Sequence, residues 1–196
     1  MATFSPFATC SSQAGICAVS LYLLSLLLPS PALASSMPAA DRVANHIALA
    51  SGPALAAEWN LAPRWTIGAS LATPWYFWQD FGSLRYGTFG MVQLLEIDGF
   101  FIAGIVGLYG DLNFGDLDRY APLGLQLGAA FAYQLNPKLT LRLNLVPGVS
   151  LRLPPNGWVI FPPAGGAEIA WRWSPNLEVT AGYNGNGDIL GLNWIF

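Results

Sequence analysis

Ala167-Glu168-Ile169-Ala170-Trp171-Arg172-Trp173-Ser174-Pro175-Asn176-Leu177-Glu178-Val179-Thr180-Ala181 alternates apolar and polar side chains on both sides of one proline. Two further stretches align with it without gaps when laid on their prolines: Leu55 to Ala69 around Pro63, and Ala129 to Leu143 around Pro137. At even offsets from the proline, eight before to six after, all 21 residues are apolar, among them Trp59, Tyr133, Trp171, Trp65 and Trp173. At odd offsets, seven before to five after, 15 of 21 are polar and the rest are Ala or Gly. A period of two across a short Pro-containing turn is a β-hairpin.

The prolines stand 74 and 38 residues apart, so a unit of about 37 residues calls for another turn near residue 100. Asp98-Gly99 lies there between Ile97 and Phe100, and Asp-Gly is a strong two-residue hairpin signal. Gly52-Pro53, the aromatic stretch after Pro74, the acidic stretch from Asp111, Pro154 to Gly157 and Asn184 to Gly187 supply connections at the opposite end. The expectation is an all-β, antiparallel up-and-down barrel of about ten strands, with eight as the next count if Arg42 to Ser51 completes no strand. From Phe89 to Leu108 both faces are apolar, and the pattern there does not separate inside from outside.

The composition agrees with a single strand-rich domain over residues 41–196. The 196-residue chain carries 19 charged side chains, 21 Gly, 15 Pro and eight Trp. Eight Lys and Arg, never clustered, argue against a nucleic-acid groove or an anionic-lipid patch. Mean hydropathy is +0.45, yet the longest charge-free stretch after residue 40, Tyr120 to Pro137, holds two Pro and two Gln and makes no spanning helix. Membrane contact, if made, is made by strands.

Residues 1–34 read as a cleaved secretory signal, and 35–40 as a short leader to the barrel. The run from Ile16 to Leu28 is thirteen mostly apolar residues, and Ala32-Leu33-Ala34 is a small-x-small cleavage pattern ahead of Ser35. Thirteen residues at about 1.5 Å each cover about 20 Å of a hydrocarbon layer about 30 Å thick, too little for a membrane anchor. The segment ahead of this run lacks the Lys or Arg that signals use for orientation. Both cysteines, Cys10 and Cys17, fall within the removed part, so the processed chain has neither disulfides nor thiolate chemistry.

Alternation alone does not say which face looks outward. Three features favour the apolar face outside: aromatic residues four before each turn proline, where an interfacial belt sits; an opposite face of Ala, Gly and Thr with few charges; and the terminus. There Leu190, Leu192, Trp194 and Phe196 alternate with Ile189, Gly191, Asn193 and Ile195, and the chain ends on Phe. In this the chain resembles bacterial outer-membrane β-barrel proteins, whose last strand ends in an aromatic residue after alternating apolar positions. The architecture of residues 41–196 is most similar to the small OmpA, OmpX or OmpW type. The resemblance implies that Leu190, Leu192, Trp194 and Phe196 form an assembly signal read by the barrel-assembly machinery, with outer-membrane lipid as the other partner. It also makes Trp59, Trp65, Tyr133, Trp171, Trp173 and Trp194 an aromatic girdle. No feature sets an oligomeric state.

Inward charges are the most informative polar set. Arg172 and Glu178 lie three residues either side of Pro175 and so face each other across a hairpin, while Arg142 and Glu168 stand on adjoining strands at similar height. Together with Glu58 they form an expected polar network that plugs a narrow lumen or lines a pore. No cofactor or metal is expected. The stretch Asp111 to Asp118 brings four oxygen side chains together, but Gly115 and Pro122 stand where calcium-loop ligands belong, and a surface loop is the plainer reading. Trp75, Tyr76, Phe77, Trp78 and Phe81 suit a second girdle better than a docking patch.

The functional expectation is a non-enzymatic outer-membrane barrel serving envelope integrity, surface binding or narrow solute passage. A lipid-modifying hydrolase needs His46 and Ser51 to converge with an acid, although Ser51 is five residues on and Ala48 occupies the third position of a His-x-Ser arrangement. A soluble, lipocalin-like exported barrel needs the Trp-bearing face inside.

Overall fold

The computed structural model describes residues 36–42, 44–73, 83–113, 121–151, 158–159 and 162–196. The expected leader cleavage, the aromatic stretch Trp75 to Phe81, the carboxylates Asp116 and Asp118 and the Pro154 to Gly157 connection lie outside these residues. The chain forms β1 (His46–Ala50), β2 (Ala54–Ala62), β3 (Trp65–Ala72), β4 (Ser83–Ile97), β5 (Phe100–Asn113) and β6 (Ala121–Asn136). It continues as β7 (Leu139–Leu145), β8 (Gly148–Ser150), β9 (Trp158–Val159), β10 (Gly166–Ser174), β11 (Leu177–Asn184) and β12 (Leu190–Ile195). Among the described residues there is no helix.

Ten of these strands close into an antiparallel barrel. Neighbours pair in the order β1 to β7, then β10, β11 and β12, and β12 returns to β1 with His46 opposite Ile195 and Ala50 opposite Gly191. The segment in question near Arg42 to Ser51 therefore supplies a strand, and the count is ten. Beyond β7 the chain breaks at Val146-Pro147, where proline has no N–H to give a ladder, and resumes as β8 along the far part of β6, with β9 as a short extension paired to β8.

The four two-residue hairpin turns lie at one end, opposite the three-residue connection from β1 to β2. Asp98 and Gly99 both take positive φ, 48° and 79°, the backbone of a primed two-residue turn, and Ile97 pairs with Phe100. Pro63, Pro137 and Pro175 start the other three turns. Proline cannot adopt the positive φ of a primed turn, and each of these hairpins shifts register just before it, between Asn60 and Ala62, Gln134 and Asn136, and Arg172 and Ser174. A bulge at that point re-aims the strand so that an unprimed turn can close it. The skipped residues Leu61, Leu135 and Trp173 all point outward.

Inward and outward faces follow the sequence alternation. Along β3 the burial alternates at every residue, with Trp65, Ile67, Ala69 and Leu71 exposed and Thr66, Gly68, Ser70 and Ala72 buried. Where the sequence left the faces of β4 and β5 undecided, the structure divides them: Phe89, Met91, Ala103 and Ile105 turn inward, and Val106 and Leu108 outward. The interior thus has an apolar side, completed by Ala130, Ala132, Val146 and Ala164, and a polar side built on β1, β2, β7, β10, β11 and β12.

Candidate functional site: a filled polar lumen

The interior is occupied by the chain's own N-terminal segment. Residues 36–40, read from sequence as a short leader, are all buried inside the ring, with Met37 at 1% and Ala39 at 0% exposure. Small side chains suit this path, because a ten-strand interior has little room beyond its own inward groups. The segment is fastened along its length: Asn144 Nδ2 donates to the Pro38 carbonyl at 2.7 Å, and Ala40 joins the apolar cluster around Phe89 and Met91. Residues 162–165 also fold inward near the loop end, where Asn144 Nδ2 donates to Ala164 O and the Ala164 N–H donates to Gln126 Oε1.

Beyond Ala40 the segment delivers two charges into the polar side. Arg142 on β7 is the hub. Its Nε and Nη2 donate to Asp41 at 2.7 and 2.9 Å, its Nη1 to Glu168 at 2.9 Å, and its Nη1 and Nη2 to the two oxygens of Glu178 at 2.8 and 2.9 Å. These five bonds use all five donors of a guanidinium, which no lysine reproduces. Glu178 is met from the other side by Arg42 Nη2 at 2.6 Å and by Asn193 Nδ2 at 2.8 Å.

Each charge expected to face inward is located in this frame. Arg172 is the register partner of Glu178, with Nη2 3.7 Å from Oε2, but it stands at the mouth and is 40% exposed. Glu168 is the register partner of Arg142. Glu58 is fully enclosed beside His46, 3.6 Å from Nδ1, and makes no arginine pair among the described residues. Asp41 and Arg42 are the members that sequence reasoning did not assign. A signal for Arg42 was present, since Glu58, Glu168 and Glu178 outnumber Arg142 and Arg172 on the inward face and a third cation evens the count; Asp41, a fourth carboxylate, had no such signal.

His46 is held in the same network, with Arg42 Nη1 2.6 Å from its Nε2, a position from which the guanidinium donates to the imidazole lone pair. Ser51, past the other end of β1, accepts hydrogen bonds from the N–H groups of Ile189 and Leu190. The two residues are thus about 16 Å apart along the strand and do not converge. At the loop end Arg85 pairs with Asp111 at 2.6 Å and also donates to the Gly185 carbonyl, so the first carboxylate of the acidic stretch is engaged by a cation.

A cavity of about 50 Å³ opens at the turn end beside Asp41, Lys138, Arg172 and Glu178, room for a few waters.

Outside, the girdle residues Trp59, Trp65, Tyr133, Trp171, Trp173 and Trp194 are all exposed and cluster toward the turn end, with the Trp171 and Trp173 rings meeting edge to face at 5.0 Å. On the last strand Leu190, Trp194 and Phe196 are exposed, Leu192 is half-buried, and Gly191, Asn193 and Ile195 turn inward. The Trp-bearing face, which a lipocalin-like barrel needs inside, is on the outside of the ring. Comparison of the chain with models of known protein families and with curated proteins gave no match.

Proposed function

We propose that the protein is an integral outer-membrane β-barrel with a closed lumen, acting without catalysis as a structural or surface-binding element of the envelope and not as a channel. The observation that carries this reading is where the charges lie. Among the described residues, Asp41, Arg42, Glu58, Arg142, Glu168 and Glu178 are inside the ring. Arg64, Glu96, Asp98, Lys138 and Arg172 sit within four residues of a short turn, and Arg85, Asp111 and Asp188 near the loop end. The outer band between carries exposed Leu, Ile, Val, Trp and Tyr. In water this arrangement leaves a large apolar belt exposed, whereas in a bilayer it keeps each of these strand-borne charges out of hydrocarbon. The first strand begins and the last ends at the side of the four two-residue turns, with longer connections such as those after β3 and β5 at the other, a turn and loop asymmetry that suits an outer-membrane barrel.

Closure is the reading's second part: the N-terminal segment and the Arg142 network fill the space a permeating solute needs. Two measurements on washed outer membranes test the pair. Boiled and unboiled samples are expected to differ in gel mobility, and the purified barrel is expected to leave a planar bilayer non-conducting. A protein that washes off without detergent overturns the membrane reading, and steady conductance overturns the closure.

A further inference from the structure

The loop end holds a buried carboxylate without a cation. Asp188 lies in the β11–β12 connection and is 2% exposed. Its Oδ2 accepts from Ser36 Oγ at 2.5 Å, from Asn184 Nδ2 at 2.9 Å and from the Ser36 N–H at 3.2 Å. Oδ1 is equally enclosed and makes no hydrogen bond of acceptable geometry, although the Gly52 amide faces the carboxylate. Among the described residues no Lys, Arg or His pairs with Asp188. Positive charge is short throughout the interior: among the described residues five enclosed carboxyl groups, those of Asp41, Glu58, Glu168, Glu178 and Asp188, stand against two enclosed guanidiniums, those of Arg42 and Arg142. Both arginines are engaged deeper in the ring, with Asp41, Glu168 and Glu178. Burial accordingly pushes the Asp188 carboxyl above its usual range despite the donors from Ser36 and Asn184. The same low dielectric that makes the unpaired carboxylate costly makes a cation beside it strongly favoured.

A place for that cation adjoins Asp188. Along the inward face of β11, Glu178, Thr180, Gly182 and Asn184 follow one another toward the loop end, and Glu168 stands opposite Gly182 on β10. A cavity of about 10 Å³, space for one water-sized guest, lies among Glu168, Thr180, Gly182, Asn184 and Asp188. Its wall brings together two carboxyl groups, a hydroxyl and an amide, the donor class that hard cations take. Asn184 Oδ1 accepts from the N–H groups of Asn186 and Asp188 while its Nδ2 donates to Asp188 Oδ2, so one side chain fixes where Asp188 stands. We infer that this cavity is a calcium site, in which one Ca²⁺ bridges Asp188 and Glu168 and ties the β11–β12 connection to β10. Two carboxylates match a divalent ion in charge, and Glu168 keeps its bond to Arg142 through Oε1, since a carboxylate has lone pairs for both. Size selects among the divalent ions. A guest no larger than one water enters without its hydration shell, which magnesium gives up reluctantly and calcium exchanges for protein oxygens.

The test reads ion binding by the folded barrel and is separate from membrane location. Full-length protein is purified folded in detergent, stripped with chelator and dialysed against radiolabelled Ca²⁺, and thermal melting of the unboiled band is followed in Ca²⁺, in Mg²⁺ and in chelator. The expected result is saturable binding of one Ca²⁺ per chain below about 1 mM, and at least about tenfold weaker binding in Asp188→Asn. Saturating calcium should raise the melting midpoint by about 5 °C or more, and magnesium at the same concentration should leave it near the chelator value. Should Asp188→Asn fail to fold, Asn184→Asp sets a second carboxylate against Asp188 Oδ2 and should enlarge the calcium-dependent rise in melting. No saturable calcium below that concentration, an equal response to magnesium, binding undiminished in Asp188→Asn, or a rise not enlarged in Asn184→Asp overturns the proposal. Fractionation of the same preparation reports independently on the membrane reading, since a barrel that washes off soluble can still bind the ion.

Discussion

Arg142 and Glu178 meet fork to fork across the lumen from strands that do not pair, with Nη1–Oε1 at 2.8 Å and Nη2–Oε2 at 2.9 Å and β10 standing between β7 and β11. The ion pair is therefore a strut inside the ring and adds nothing to the ladder itself. Both side chains are almost wholly enclosed, so the pair gains from low dielectric and suffers from it when one partner is lost.

Replacing Arg142 with Met leaves Asp41, Glu168 and Glu178 with Arg42 and, at the mouth, the distant Arg172. The expected loss is about 3–5 kcal/mol, the cost of uncompensated buried charge. Denaturant titration of the detergent-folded barrel measures it. Arg142→Lys keeps the charge but cannot fill five donor positions, and is expected to fall between Met and the parent.

The outer face separates a membrane barrel from a soluble one by a single substitution. Leu127 lies midway along β6, pairs with Val106 and is 67% exposed. Leu127→Arg is expected to cost about 2–4 kcal/mol for folding in a bilayer. At an exposed site in water the same change falls within about 0.5 kcal/mol, so equal stability of variant and parent in lipid vesicles sinks the membrane reading.

Two glycines with opposite surroundings test the packing of the ring. A Cβ on Gly128 would sit 2.1 Å from the Leu145 carbonyl oxygen, main chain that cannot swing aside, whereas one on Gly90 meets nothing within 4 Å. Gly128→Ala is expected to destabilise by about 1–3 kcal/mol and Gly90→Ala to stay within about 0.5 kcal/mol. Thermal melting of the unboiled band ranks them.

Asp188 gives stability a pH dependence of one sign. With no cation beside it among the described residues, burial raises its folded-state value above 3.8, so its contribution is complete below that pH and is lost as pH rises through the folded value. The chain with Asp188 should match the Asp188→Asn version in stability near pH 4 and fall behind it by about pH 8. Denaturant titrations of the two proteins in chelator at both pH values read the difference.

Much of the ring was legible because a strand's period of two is unforgiving. A one-residue slip in Ala167–Ala181 would send Glu168, Arg172 and Glu178 outward, so the alternation set both the hairpins and their register. Asp98-Gly99 was readable for a different reason, the need for positive φ at both turn positions. The lumen content was not. Ser36-Met37-Pro38-Ala39-Ala40 has no periodicity, and its burial depends on a cylinder that exists only once distant strands have met. For the same reason the inward turn of Phe89 and Met91 was hidden: with apolar residues on both faces, only the curvature of the closed sheet distinguishes them.

The segment that fills the barrel precedes its first strand, and that order bears on how the molecule is made. Ser36 meets Asp188 across 152 residues of sequence, and β1 meets β12 across nearly as many, so neither contact exists until the last strand is complete. Such non-local closures lose their loop entropy before they return any stability, and they form late and slowly. A ring that seals first would shut its own beginning outside. Asp41 ties to Arg142 on β7 and Arg42 to Glu178 on β11, so the segment that fills the cylinder also braces the wall on both sides of β10.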